Sequence, residues 1–213
     1  MVDLAKLYRI LSQHLGPSGW WPADSKREII IGAILVQNTN WNNAALGLAS
    51  LKAKTAFEPK NILSLSQSEL MEIIKSSGFY KNKSRAILAT FEWLNSEGWD
   101  YDEIRDRYGD NLRQQLLKIP GIGQETADVF QVYIFDKPVF IADSYTRRLF
   151  SKLGYRKTKT YQDLWRQVKL PASFSYQDAQ EFHGLIDNFG KQYLRYAGQF
   201  EKSFLNNKDV KHS

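Results

Sequence analysis

The chain contains no cysteine. That absence excludes disulfides, thiolate zinc sites, iron–sulfur clusters and a cysteine nucleophile. Histidine is nearly as scarce, with only His14, His183 and His212. His212 stands next to the last residue and His14 lies in an amphipathic stretch, so a histidine-rich metal site does not fit. Long apolar runs are missing too. The longest, Ile29–Val36, is far shorter than the roughly 20 residues of a membrane span. Met1–Leu15 mixes charges and has no signal-peptide core, so the cytoplasm is the expected location. Repeats, low-complexity segments and long linkers are absent as well.

What is present is ordinary globular composition over 213 residues, 43% hydrophobic and 24% charged, enough to bury a core. Lys and Arg total 29 against 23 Asp and Glu, giving +6 and a pI near 9.3. That surplus favours a polyanionic partner. Aromatic residues reach 14% and include six Trp, enough both to fill a core and to build a pocket for a flat or cationic ligand.

The pattern reads as helices joined by short polar turns. Ser25-Lys26-Arg27-Glu28 and Ser66-Gln67-Ser68-Glu69 both have the form of capping boxes. The first precedes IIIGAILV, which is apolar all round and predicts a buried central helix. Thr39 or Asn40 caps the next helix. Further apolar stripes run through Ile87–Leu94, Leu112–Leu117, Thr126–Phe135 and Ser144–Leu153, with two more helices over Tyr161–Val168 and Tyr176–Phe189. The one strand candidate, Val139-Phe140-Ile141, is too short and isolated to make a sheet. The predicted fold class is all-α. The polar tail, 202–213, is expected to fray.

The most informative stretch is 116–154. Ile119-Pro120-Gly121-Ile122-Gly123 lies between two helical patterns, and two glycines two apart permit a sharp turn and a close approach. A helix beginning near Gln124 points free N–H groups outward, where they can hold a phosphate without reading sequence. Taken alone, the same residues also fit a tight turn between packed helices. Twenty residues past Gly123 comes Asp143, preceded by apolar residues and followed by an amphipathic helix. It has the place of an N-cap. Cap amides and the helix dipole favour the ionised carboxylate, which can stabilise a developing positive charge.

Together these residues resemble the helix–hairpin–helix (HhH-GPD) glycosylases of base-excision repair, the relatives of endonuclease III. The resemblance extends back through Ala33–Asn40 and covers most of residues 20–155. It implies an endonuclease III-like fold of two helical lobes with a cleft between them. One lobe would span 25–136 and end in the hairpin at about 119–124. The other would join 1–24 to 137–213 and carry a catalytic Asp143. It implies DNA contacts by Gln37, Gly121, Ile122, Gly123, Gln124, Thr126 and Arg147, with Gln37 filling the gap left by a flipped base. Lys81, Lys83, Arg85 and Arg148 are additional phosphate candidates. In bifunctional members a lysine stands two residues after the second hairpin glycine; here it is Glu125, and a carboxylate cannot form a Schiff base. The cysteine cluster loop is also missing.

Trp20-Trp21-Pro22 and Trp41, four residues past Gln37, narrow the resemblance to 3-methyladenine DNA glycosylases of the endonuclease III type. There the aromatic residues at these positions line the base pocket, which assigns Trp20, Trp21, Pro22 and Trp41 to its walls, with Glu125 and Lys191 beside them. Core packing is the competing role for each Trp. His183, Asp187 and Lys191 fall at i, i+4 and i+8. That spacing fits a salt-bridged surface row, or a lysine tucked beside the cleft. The expected activity is monofunctional, metal-independent excision of alkylated purines from double-stranded DNA by a nucleoid-associated monomer. No organic cofactor is expected. The carbonyls of Lys118, Pro120 and Gly123 are candidates for a structural K+ or Na+. The alternatives are the same fold acting on uracil or mismatched thymine, a lyase using another lysine, and a non-catalytic DNA-binding protein.

Overall fold

The computed structural model describes residues 2–206 and Val210. Helices and turns account for the regular structure. α1 is Leu4–Leu15, α2 Lys26–Leu35, α3 Trp41–Thr55, α4 Pro59–Leu63, α5 Gln67–Ile73 and α6 Tyr80–Ser96. α7 is Tyr101–Tyr108, α8 Leu112–Leu116, α9 Gln124–Tyr133, α10 Ser144–Lys152, α11 Tyr161–Trp165 and α12 Tyr176–Tyr193. Among the described residues no extended sheet forms, and Val139–Ile141 is irregular chain. None of the described helices is long and apolar enough to cross a membrane. The chain divides into two compact units, Ala23–Phe135 and Met1–Pro22 with Asp136–Ser213.

The Ala23–Phe135 unit is organised around α2. Ile30, Ile31, Ile34 and Leu35 are buried on every side of that helix, because its sequence offers no polar face. Its packing partners are α3, α6 and α9. The capping box expected at Ser25 forms only in half. Ser25 accepts the Glu28 amide, but the Glu28 carboxylate accepts from the Asp24 amide at 3.0 Å and meets Lys52 Nζ. The lysine draws it away from the position that would close the box. The Ser66–Glu69 box is complete, and Asn40 caps α3.

Lys83 is buried although its sequence position reads as a surface phosphate contact. Its Nζ donates to the Leu35 and Ser77 carbonyls at 2.8 and 2.6 Å, tying the end of α2 to the turn before α6. Lysine emerges from a core only where such acceptors replace water.

The other unit packs α1 and α10–α12 around Leu7, Leu11, Leu149, Phe150, Phe182 and Phe189. α12 continues through Gly190 to Tyr193, beyond its expected end at Phe189, whereas α11 stops at Trp165, short of Val168. Within the described part of the tail, Leu205 is buried in this core beside Phe200, and the Val210 carbonyl accepts from the Asp3 amide at 2.8 Å. Widely spaced apolar residues anchor it. Positions 207–209 and 211–213 of that tail, His212 among them, lie outside the described residues.

Candidate functional site

In the Ala23–Phe135 unit the hairpin joins α8 to α9. Gly121 has φ +85°, and a Cβ there would lie 2.6 Å from Ala86 Cβ on α6, so conformation and space both demand glycine. The turn closes with the Ile122 amide on the Ile119 carbonyl, and both side chains are buried. Any ligand of Ile122 therefore meets its backbone. α9 starts at Gln124 with Gly123 as N-cap, a residue with no side chain to cap its first amides. The Gly123 carbonyl accepts the Ala127 amide. A buried clamp fixes the two helices flanking the hairpin. Arg113 on α8 makes a two-pronged pair with Asp128 on α9, at 2.7 and 3.0 Å, and Gln131 donates to the same carboxylate.

Gln37, in the loop after α2, points at this hairpin. Its Nε2 donates to Thr126 Oγ1 at 2.9 Å and reaches the Gly121 carbonyl at 3.3 Å. Three of the residues assigned to DNA contact thus form one cluster. Gln124 and Glu125 are exposed in the first turn of α9, and Trp41 is half-buried at the start of α3.

In the other unit Asp143 is the N-cap of α10. Its Oδ1 accepts the Thr146 amide at 2.7 Å. Its Oδ2 lies 3.7 Å from Nε2 of His183 on α12. The Asp143 side chain keeps 15% of its surface exposed. Burial pushes its carboxyl up, the largest single influence. His183, and then Thr146, together outweigh burial and hold the group below its usual value. The carboxylate is thus ionised at neutral pH, and cap and charge roles coincide in one residue.

α12, which carries His183, also packs against the loop that leads into the tryptophans. Glu181 accepts the Ser18 amide and hydroxyl at 2.7 and 2.6 Å, and Asn188 donates to the Ser18 carbonyl. At Gly184 a Cβ would come within 2.8 Å of Trp20 Cβ. Trp20 and Trp21 are half-buried, their rings 4.8 Å apart, while Pro22 is exposed. Lys191 Nζ sits 4.7 Å above the Trp20 ring and 2.5 Å from Asp187 Oδ2. The His183–Asp187–Lys191 row is therefore not a surface row. His183 is 9% exposed and joined to Asp143, and only Lys191 is open to solvent. Sequence reasoning did not assign His183 to the site; its position one turn before Asp187 was the available signal. Arg147 is anchored by a 2.9 Å bond to the Ala142 carbonyl. Among the described residues, no group of three or more His, Cys, Asp or Glu side chains could hold a metal ion.

The chain is similar to known proteins. The family model of HhH-GPD superfamily base excision DNA repair proteins matches residues 31–172. A Methanocaldococcus jannaschii protein named "Putative DNA repair glycosylase MJ1434" is 33% identical over 195 residues, 89% of this chain and 88% of that protein. Endonuclease III of Thermotoga maritima is 28% identical over 142 residues, 66% of this chain and 62% of its own length. The structure of H. pylori 3-methyladenine DNA glycosylase (MagIII) bound to 1,N6-ethenoadenine matches with a TM-score of 0.75 and 25% identity, covering 92% of this chain and 100% of that one. A trapped endonuclease III–DNA covalent intermediate shares the fold at a TM-score of 0.71 and 18% identity, over 99% and 94% of the two chains. With a family match across the hairpin and Asp143, and a relative spanning most of its length, the chain belongs to the HhH-GPD superfamily of base excision DNA repair glycosylases, in its endonuclease III-like form.

Proposed function

We propose that this glycosylase is monofunctional and releases alkylated purines, 3-methyladenine foremost, from double-stranded DNA, leaving an abasic site. The observation that carries the reading is the ionised Asp143, held by the Thr146 amide of α10 and by His183 of α12, the helix against which Ser18 and Trp20 pack. An N3-methylated adenine is a cation and a good leaving group. The N-glycosidic bond breaks with its electron pair passing to the base, which departs neutral. Asp143 stabilises the oxocarbenium-like sugar and orients water, whose oxygen bonds to C1′ while its proton goes to the carboxylate or solvent. Trp20 and Trp21 offer π faces to the extruded base, and Gln37 with the α9 N-terminus holds the duplex. For Pro22, Trp41 and Glu125 the pocket assignment rests on the family resemblance. Glu125 at the lyase-lysine position supports hydrolysis over Schiff-base chemistry. The H. pylori relative, a 3-methyladenine glycosylase by name, supports the substrate class.

One observation favours a second reading, a neutral base such as uracil or mismatched thymine. Lys191 and Asp187 bring hydrogen-bonding groups to the Trp20 ring, and an ammonium already occupies one of its faces. The test is base release from methylated and uracil-containing duplexes by the parent and Asp143→Asn. The expected result is release of 3-methyladenine, a fall of about 10²- to 10⁴-fold in the variant, and no borohydride-trapped adduct. Full activity of Asp143→Asn, or a trapped adduct, rejects the mechanism. Release of uracil alone favours the second reading.

A further inference from the structure

The helix that begins at Asp143 continues into a strongly basic groove of about 670 Å³. Arg147, Arg148 and Lys152 of α10 line it, with Lys159 from the following loop and Arg195 with Tyr196 from the segment after α12. Ser144, Ser151 and Thr158 add hydroxyls, and no Asp or Glu is among the lining residues. Lys152 pairs with Glu201 at 2.8 Å. Among the described residues, no carboxylate pairs with Arg148, Lys159 or Arg195, and all three are exposed. Arg148 and Arg195 instead lie over the rings of Tyr145 and Tyr196, at 5.6 and 5.9 Å, and Tyr196 is 67% exposed. Like charges gathered in one concavity repel one another, and their field concentrates anions there.

Hydroxyl donors interleaved with guanidinium groups suit phosphate oxygens. Nine helical residues extend about 13.5 Å, the length of about four nucleotides at roughly 3.4 Å each along one strand. We propose that this groove holds the phosphodiester backbone of the damaged strand, over the first few phosphates to one side of the nucleotide at Asp143. The inference rests on Asp143 marking the reacting nucleotide. It gives the C-terminal segment a DNA-binding role separate from the hairpin, one shared between side chains of α10 and the chain after α12.

The test measures equilibrium binding to duplex carrying a tetrahydrofuran abasic analogue between 50 and 200 mM salt. The parent is compared with the triple variant R148A/K159A/R195A and with K159A alone. Each contact removed should flatten the log K against log salt slope by about 0.9, so the triple variant should lose between two and three units of slope. The charge-preserving variant R148K/R195K should keep the parent slope. Duplexes trimmed on one side of the lesion should abolish the difference between parent and triple variant, while trimming the other side leaves it. An unchanged slope in the triple variant, with thermal midpoint intact, overturns the proposal. So does an equal effect of trimming either flank, which would deny the groove a place on one side of the lesion. Should the triple variant misfold, K159A must still flatten the slope, or the groove has no such role. A parent that releases no base, yet loses slope in these variants, rejects the glycosylase mechanism and leaves the groove standing.

Discussion

Asp143 Oδ2 and His183 Nε2 lie 3.7 Å apart, so the N-cap of α10 is coupled to the middle of α12. The pairing sets the charge state of the acid. Burial alone would favour the neutral carboxyl, and the imidazole together with Thr146 reverses that preference.

His183→Ala should therefore move the acid limb of the pH–rate profile to higher pH, because burial remains while the imidazole that opposes it is gone. A structural role alone would lower the rate at every pH without moving the limb. The linked stability has a definite sign. A carboxyl held below its unfolded value contributes above that value, about pH 3.9, and the contribution is lost as pH falls through the lower folded value. Thermal unfolding between pH 2 and 6 should show this dependence weakened in Asp143→Asn.

Gln37→Ala removes the side chain that donates to Thr126 and reaches Gly121. Both partners lie at the hairpin, so the substitution should weaken binding to abasic duplex by about 10-fold, one hydrogen-bonded contact's worth. Binding to undamaged duplex should change less. Fluorescence anisotropy on the two duplexes distinguishes them; an equal loss on both argues against a gap-filling role.

Gly184→Ala places a methyl against Ser18 and Trp20. The cost should be about 1–3 kcal/mol of stability by overpacking. The tryptophan loop is the part able to move, so KM for the damaged duplex should rise more than kcat falls. Chemical denaturation and steady-state kinetics measure the two effects.

Lys83 is pushed down to about 8 by burial. The folded chain then binds fewer protons than the unfolded chain between about pH 8 and 10.4, so stability should rise with pH across that window. Lys83→Met should remove this rise. It should also destabilise at neutral pH by about 1–3 kcal/mol for each carbonyl left without a donor, those of Leu35 and Ser77. Unfolding midpoints from pH 7 to 10.5 test both statements.

The helices were legible in the sequence wherever local signals and packing agreed. The apolar run of α2, the Ser66 box, the start of α9 at Gln124 and the cap at Asp143 all depend on neighbours within four residues. The hairpin was legible because Gly121 must meet two demands at once, a positive φ and an adjacent Ala86. What could not be read depends on distant partners. Lys52 diverts Glu28 from its box across 24 positions, and Ser77 and Leu35 turn Lys83 inward. His183 reaches Asp143 from 40 positions away, and Arg113 finds Asp128 across the hairpin turn. Periodicity marks which face of a helix is apolar, but it does not say which carboxylate will stand opposite a histidine.

The Arg113–Asp128–Gln131 clamp has a consequence for how a duplex is met. With the arms of the hairpin already locked, a duplex held by its amides would meet a finished mould, and contact there would freeze no chain. Encounters with intact sequence can then be brief and frequent, governed by charge and salt, and the larger rearrangement is left to the nucleotide.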